Sequence, residues 1–189
     1  MPKIIDDEKV YRAVLQSVIE RGYAGATTKQ MAAAANISEM SLFRKYGNKL
    51  QLVKGAIAWI AEQTDYESSI RYTGEITSDL LQVVNLYQKS VVKHGQFFTI
   101  MLFEMPRYPE LMEIIDTPFS IFQNMGQILV RYQEVGMLRQ EHPLHALASL
   151  LGPMIYISMM RNANLEAFLP ELDLVLHVEG FISGHSSNN

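Results

Sequence analysis

Apolar positions recur along this chain with a spacing of three and four, the period of helices packed on one face. Val10, Ala13, Val14, Ser17 and Val18 make the first such stripe, which Asp6 or Asp7 can cap and Gly22 can end. Two short patterns follow. Thr27-Thr28-Lys29-Gln30 fits a capping box that opens an alanine-rich helix over 28–35, and Ser38 can cap another over 39–46. Asn36 and Gly47 are the stops, since both tolerate the left-handed backbone. A longer stripe then runs from Asn48 to about Ser68. Polar residues 71–75, with Gly74, form a connection.

Beyond the connection every segment is again helical in pattern. One helix runs from Thr77 or Ser78 to His94, where Gly95 stops it, and a short apolar one covers 96–105. A long helix broken near Thr117-Pro118 extends from Pro109 to Val135. Pro143 opens a helix to about Asn162, and Pro170 opens the last, to about Ser183. No stretch alternates as a strand does. The expected class is all-α with about nine helices: an N-terminal three-helix helix-turn-helix domain over 5–65, its motif at 27–46, and a C-terminal helical domain over 76–184.

Composition narrows the class. Hydrophobic residues make up 48% of the 189 positions and charged residues 19%, which suits a folded globular chain. The apolar window 144–160 is interrupted by Gly152, Pro153 and Ser158 and is expected to fall short of a membrane span. The N-terminus lacks the apolar core of a signal peptide, and there is no cysteine. A cytoplasmic protein without membrane contact is expected. The net charge of −4 conceals a gradient. Residues 1–54 carry nine basic against five acidic side chains, and the rest seven against fifteen. A basic end on an acidic body suggests that one end meets a polyanion.

The residues Gly22-Tyr23, Thr27-Thr28, Met31-Ala32, Ala35, Ile37-Ser38, Ser41-Leu42-Phe43, Tyr46 and Asn48-Lys49 with Leu52 carry a more specific signal. Over Asp6 to Asp65 the chain resembles TetR/AcrR-type transcriptional regulators; beyond that it resembles them in layout only. The resemblance implies that residues 39–46 form a recognition helix for the major groove of double-stranded DNA. Candidate DNA contacts are Thr27, Thr28, Lys29 and Ser38 before it, Met40, Ser41, Phe43, Arg44, Lys45 and Tyr46 on it, and Lys49 after it. Lys49 looks like the family's phosphate-contacting lysine. Phe43 and Tyr46 also suit a core, and Arg44 a solvated surface. Met40 and Lys45 depart from the family's usual residues. Glu39 repels phosphate unless it accepts from a cytosine amino group, faces solvent or favours the positive helix end.

The body is rich in methionine and aromatic residues. The resemblance implies an effector pocket here, and Phe97, Phe98, Met101 and Met105, with Phe119, Phe122, Met125, Tyr156 and Met159, are its candidate lining. An ordinary core is the competing reading of each. The last two helices carry broad apolar stripes. Leu147, Leu151, Met154 and Ile155 on one, with Leu172, Val175, Leu176 and Ile182 on the other, are expected at a homodimer interface. Paired copies would read a pseudo-palindromic operator.

Motifs for catalysis are missing: no GxSxG elbow, no phosphate loop, no GxGxxG. His142 and His145 lie three apart but lack a further ligand, so no metal and no cofactor is expected. The leading expectation is a DNA-binding regulator, a repressor released from its operator by a small apolar effector. The alternative is a small helical carrier or enzyme for apolar molecules, with a purely structural N-terminal motif.

Overall fold

The computed structural model describes residues 5–64 and 70–187. The chain forms α1 (Asp7–Gly25), α2 (Thr28–Ala34), α3 (Glu39–Tyr46), α4 (Lys49–Thr64), α5 (Ile76–Glu104), a 3-10 helix (Pro109–Ile114), α6 (Asp116–Glu134), α7 (Pro143–Asn162), a 3-10 turn (Glu166–Phe168) and α8 (Leu174–His185). Strands are absent among the described residues except for one isolated bridge, Leu138 to Ser186. The expected extension of α4 to Ser68 and the boundary at Asp65 fall outside the described residues.

Two compact units divide the chain. The first comprises residues up to Gln63 together with Gln96–Pro118, and the second comprises Thr64–Gly95 and Phe119 onward. Each has its own core. In the first, Val10, Val14 and Val18 of α1 pack with Met31, Ala32, Leu42, Leu52, Val53 and Ile60. Phe97, Met101, Leu111 and Ile114 complete that cluster. In the second, Leu80, Val83, Val84, Leu129, Tyr132, Leu150, Leu151 and Val178 form the centre. So the short apolar stretch expected to belong to the body packs with the N-terminal helices.

Several boundaries differ from the sequence reading for physical reasons. Gly95 does not stop a helix; α5 runs through it. A Cβ at Gly95 would lie 2.6 Å from Ser158 Oγ, so this glycine serves the close approach of α5 and α7. Pro118 falls in the first turn of α6, where its missing N–H costs no helix bond, and so marks a start rather than a break. The last helix begins at Leu174, because Asp173 caps it by accepting from Val175 N at 2.9 Å and Leu176 N at 3.1 Å.

α7 continues through Pro153, and on length and mean hydropathy it is apolar enough to cross a membrane, contrary to the reading of residues 144–160. Only 33% of its apolar window is buried, so much of it faces outward. Near the proline, Leu150 O accepts a hydrogen bond from His177 Nε2 at 2.7 Å, which ties α8 to α7. Leu147, Leu151 and Met154, expected at a dimer interface, are buried in the second core instead. Ile155 and, on α8, Val175 and Leu176 do face outward, while Leu172 and Ile182 are half-buried against that core. A helical period cannot distinguish the stripe facing its own core from the stripe facing a partner.

The candidate pocket residues likewise separate. Phe97 and Met101 are buried in the first core, with Phe98 and Met105 packed against it. Met125 is buried in the second, with Phe122 packed against it. Phe119, Tyr156 and Met159 are exposed.

Candidate nucleic-acid interface

The site is built on three short stretches whose ends are fixed by local chemistry. Thr27 Oγ1 accepts from Gln30 N at 3.3 Å while Gln30 Oε1 accepts from Thr27 N at 3.0 Å, which is the expected capping box. Ser38 Oγ accepts from Ser41 N at 3.1 Å and donates to Ser41 Oγ at 2.9 Å. Asn36 takes φ 57° in the turn between α2 and α3, and Gly47 takes φ 83° after α3. Two helices of two turns are thus held by caps at each end and by Leu42, which is buried with Ala32 in the first core and has Ile37 packed beside it.

One more bond fixes the angle of the motif. Thr28 Oγ1 donates to Glu39 Oε1 at 2.7 Å and joins the first turn of α2 to the first turn of α3. Glu39 is half-buried and has a structural partner through Oε1.

Lys45 and Tyr46, both expected to contact DNA, turn back toward α1. The Lys45 ammonium and the Tyr46 hydroxyl both donate to Asp7 Oδ1. Tyr46 is half-buried against Tyr11, ring centroids 5.9 Å apart, and burial, then the Asp7 carboxylate, raises its hydroxyl pKa. The Lys45–Asp7 pair is largely exposed, so it contributes only about 0.5 kcal/mol.

Lys49, expected at a phosphate, is engaged within the protein. Its ammonium donates to Tyr23 O and, at 3.4 Å, to Ala24 O, and lies 4.2 Å from the Tyr23 ring centroid. It closes the carbonyl end of α1, the end that favours a cation. Burial lowers its pKa, and Glu104 and Glu110 pull it back.

Beneath this lies a feature that the sequence reading missed. Gly22 takes φ 69° inside α1 and kinks it, rather than ending it. Glu104, from the last turn of α5, reaches this kink and accepts from Ala24 N at 3.3 Å. A Cβ on Gly22 would meet Glu104 Oε1 at 2.4 Å. A contact across eighty residues leaves no local signal.

What remains on the surface is a short set. Met40 is 80% exposed and Phe43 44%. Arg44 is exposed with no side-chain partner among the described residues, and Thr27 and Lys29 are exposed beside them. Thr28 and Ser41 are half-buried. His142 caps α7 by accepting from Leu144 N at 3.2 Å. Among the described residues no three metal-ligating side chains gather.

Comparison with known proteins converges on this geometry. The family model for bacterial regulatory proteins of the tetR family matches residues 11–56. The chain is 27% identical over 128 residues to the uncharacterised HTH-type transcriptional regulator YvkB of Bacillus subtilis, across 67% of this chain and 65% of that protein. It is 26% identical over 113 residues to an uncharacterised HTH-type regulator of Mycobacterium tuberculosis, across 60% of this chain and 54% of that one. The match thus spans only part of these relatives. The fold is shared more widely. A TetR-family regulator from Rhodococcus sp. superposes with TM-score 0.75 at 16% identity, over 95% of this chain and 97% of that one. The flavonoid-responsive regulator FrrA gives TM-score 0.69 at 18% identity, over 94% and 93%. A Clostridium perfringens protein described as a fatty acid metabolism regulator gives 0.75 at 15%, over 92% and 94%. Residues 11–56, which include the capped motif over 27–46, thus carry the likeness to bacterial regulatory proteins of the tetR family, and the chain as a whole has the fold of solved TetR-family regulators.

Proposed function

We propose that the protein is a homodimeric, sequence-specific DNA-binding repressor that acts in the cytoplasm on a pseudo-palindromic operator and is released by a small apolar effector. The observation that carries the DNA reading is the outer face of α3. Its neighbours are capped, bonded or buried, and Met40, Phe43 and Arg44 are left projecting from the second helix of a helix-turn-helix. In a docked complex that helix lies in the major groove, with Thr27 and Lys29 toward the phosphate backbone.

The dimer reading rests on exposed apolar side chains. Ile155, Tyr156 and Met159 on α7 and Val175 and Leu176 on α8 are all open to solvent in the single chain. A second copy would cover them as paired helices, and a two-fold pair would place two α3 helices in successive major grooves, about 34 Å apart.

The effector reading is supported by the similar proteins whose printed names point to flavonoids and to fatty acid metabolism, both largely apolar molecules. In the second unit a groove of about 330 Å³ is lined by Val91, Met154, Ile157 and Leu172 together with polar Arg161 and Glu171, among others, and offers a small molecule both apolar and charged contacts. Phe122, Met125, Tyr156 and Met159 belong to the same unit. Helix α5 is continuous from the second unit into the first, where it carries Glu104 to the α1 kink, and is the segment along which occupancy would act.

The test is selection of bound duplexes from a random library with the full-length protein. The reading predicts an enriched inverted repeat with half-site centres about 10 base pairs apart, or a multiple of that. No enrichment of any sequence would overturn it.

A further inference from the structure

We propose that α3 selects its operator through the C5 methyl groups of thymines, with Met40 and Phe43 as the side chains that read them. The inference rests on the operator binding proposed above and names the base chemistry of that same site.

Elimination along α3 supports it. Leu42 is in the core. The Glu39 carboxylate is fastened through Oε1 to Thr28 of α2, which holds it at the junction of the two helices. Ser41 is tied to Ser38 through both its N–H and its hydroxyl. Lys45 and Tyr46 are both engaged by Asp7 at the start of α1. Three side chains remain, Met40, Phe43 and Arg44, and the spacings of three and four place them on one face. Two of the three are apolar, and Met40 is the most exposed large hydrophobic residue of the described chain, at 80%.

The major groove presents one apolar feature, the thymine methyl group. A methionine has no donor and only a weak acceptor, so it discriminates bases by burying a methyl rather than by hydrogen bonding. Phe43, one turn on, offers a second apolar surface in line with it. Arg44 supplies the polar element, with the fork that pairs with guanine O6 and N7. The half-site expected is therefore one or two thymines beside a guanine, with cytosine disfavoured beneath Met40.

The experiment replaces the thymines of the selected duplex one at a time by deoxyuridine, which keeps the O4 acceptor and the base pair and removes only the methyl. Affinity of the full-length protein is expected to fall about fourfold for each contacted methyl, the value of burying one such group. Met40→Ala is expected to bind the thymine and uracil duplexes equally at the position it reads, whereas Arg44→Ala retains that ratio. Met40 is exposed, so the alanine variant keeps its fold, which circular dichroism verifies. Unchanged affinity when every thymine is replaced would overturn the inference while leaving operator binding intact. So would an unchanged thymine-to-uracil ratio in the Met40→Ala, Phe43→Ala double variant. Failure to enrich any duplex would appear before a uracil is introduced, and would overturn both readings together.

Discussion

Thr28 Oγ1 donates to the Glu39 carboxylate at 2.7 Å, so the first turns of two helices eleven residues apart are fastened to one another. An acidic side chain at the head of a DNA-reading helix is a hazard only if its charge faces phosphate. Here it has a structural task. Glu39→Ala is expected to lower stability by about 1 kcal/mol, the usual value of such a bond, seen as a fall in the thermal midpoint. The base preference of the selected operator should stay the same. A changed preference with unchanged stability would mean that Glu39 reads bases directly.

Gly22 is a second place where one atom matters. Its φ of 69° is unfavourable for alanine, and an added Cβ would meet Glu104 Oε1 at 2.4 Å. Gly22→Ala is expected to cost about 1–3 kcal/mol from backbone strain and crowding together. Adding Glu104→Ala should recover the crowding but not the strain, so the double variant should be more stable than Gly22→Ala alone and less stable than the parent. Chemical denaturation of the four proteins measures this directly.

In the second unit, Asp79 is fully buried and takes hydrogen bonds from Tyr132 OH at 2.5 Å, Thr73 Oγ1 at 2.7 Å and Thr73 N at 2.8 Å. Burial pushes its carboxyl pKa up, but these donors outweigh that and hold it below the ordinary 3.8. A carboxylate with a depressed folded pKa contributes stability that is present above its unfolded value and lost as pH falls through the folded one. The parent should therefore lose stability on acidification below about pH 4, and Tyr132→Phe should lose about 1.5–3 kcal/mol at neutral pH and show a weaker acid dependence. An unchanged acid profile in Tyr132→Phe would show that the bond does not hold the carboxylate.

The helices and their caps could be read from sequence because their causes lie within four residues. The Thr27–Gln30 box, the Ser38 cap and the stop at Gly47 all appear as expected. Non-local choices could not be read. Gly95 reads as a stop because glycine serves both left-handed turns and close approaches, and only Ser158, on another helix, decides between them. Lys49 beside a reading head suggests a phosphate contact, and nothing near it in sequence shows its hydrogen bonds to the carbonyls of Tyr23 and Ala24. Lys45 and Tyr46 were likewise claimed by Asp7, thirty-eight and thirty-nine residues away. Within the apolar stripe of α7, nothing periodic separates Leu147, Leu151 and Met154, which face the core, from Ile155, Tyr156 and Met159, which face solvent.

DNA reading by an exposed α3 that carries Arg44, with exposed Lys29 on α2, is tested most directly by a titration of duplex affinity against salt. The selected operator and an unrelated duplex would be compared, using the parent, Lys29→Ala, Arg44→Ala and Lys49→Ala. A steep loss of affinity with salt is expected for both duplexes, with the operator bound at least about a thousandfold more tightly. Lys29→Ala should reduce the salt slope by about one, while Arg44→Ala should narrow the gap between the duplexes. Lys49→Ala should mainly lower the thermal midpoint. A flat salt response with equal affinity for both duplexes would contradict the account.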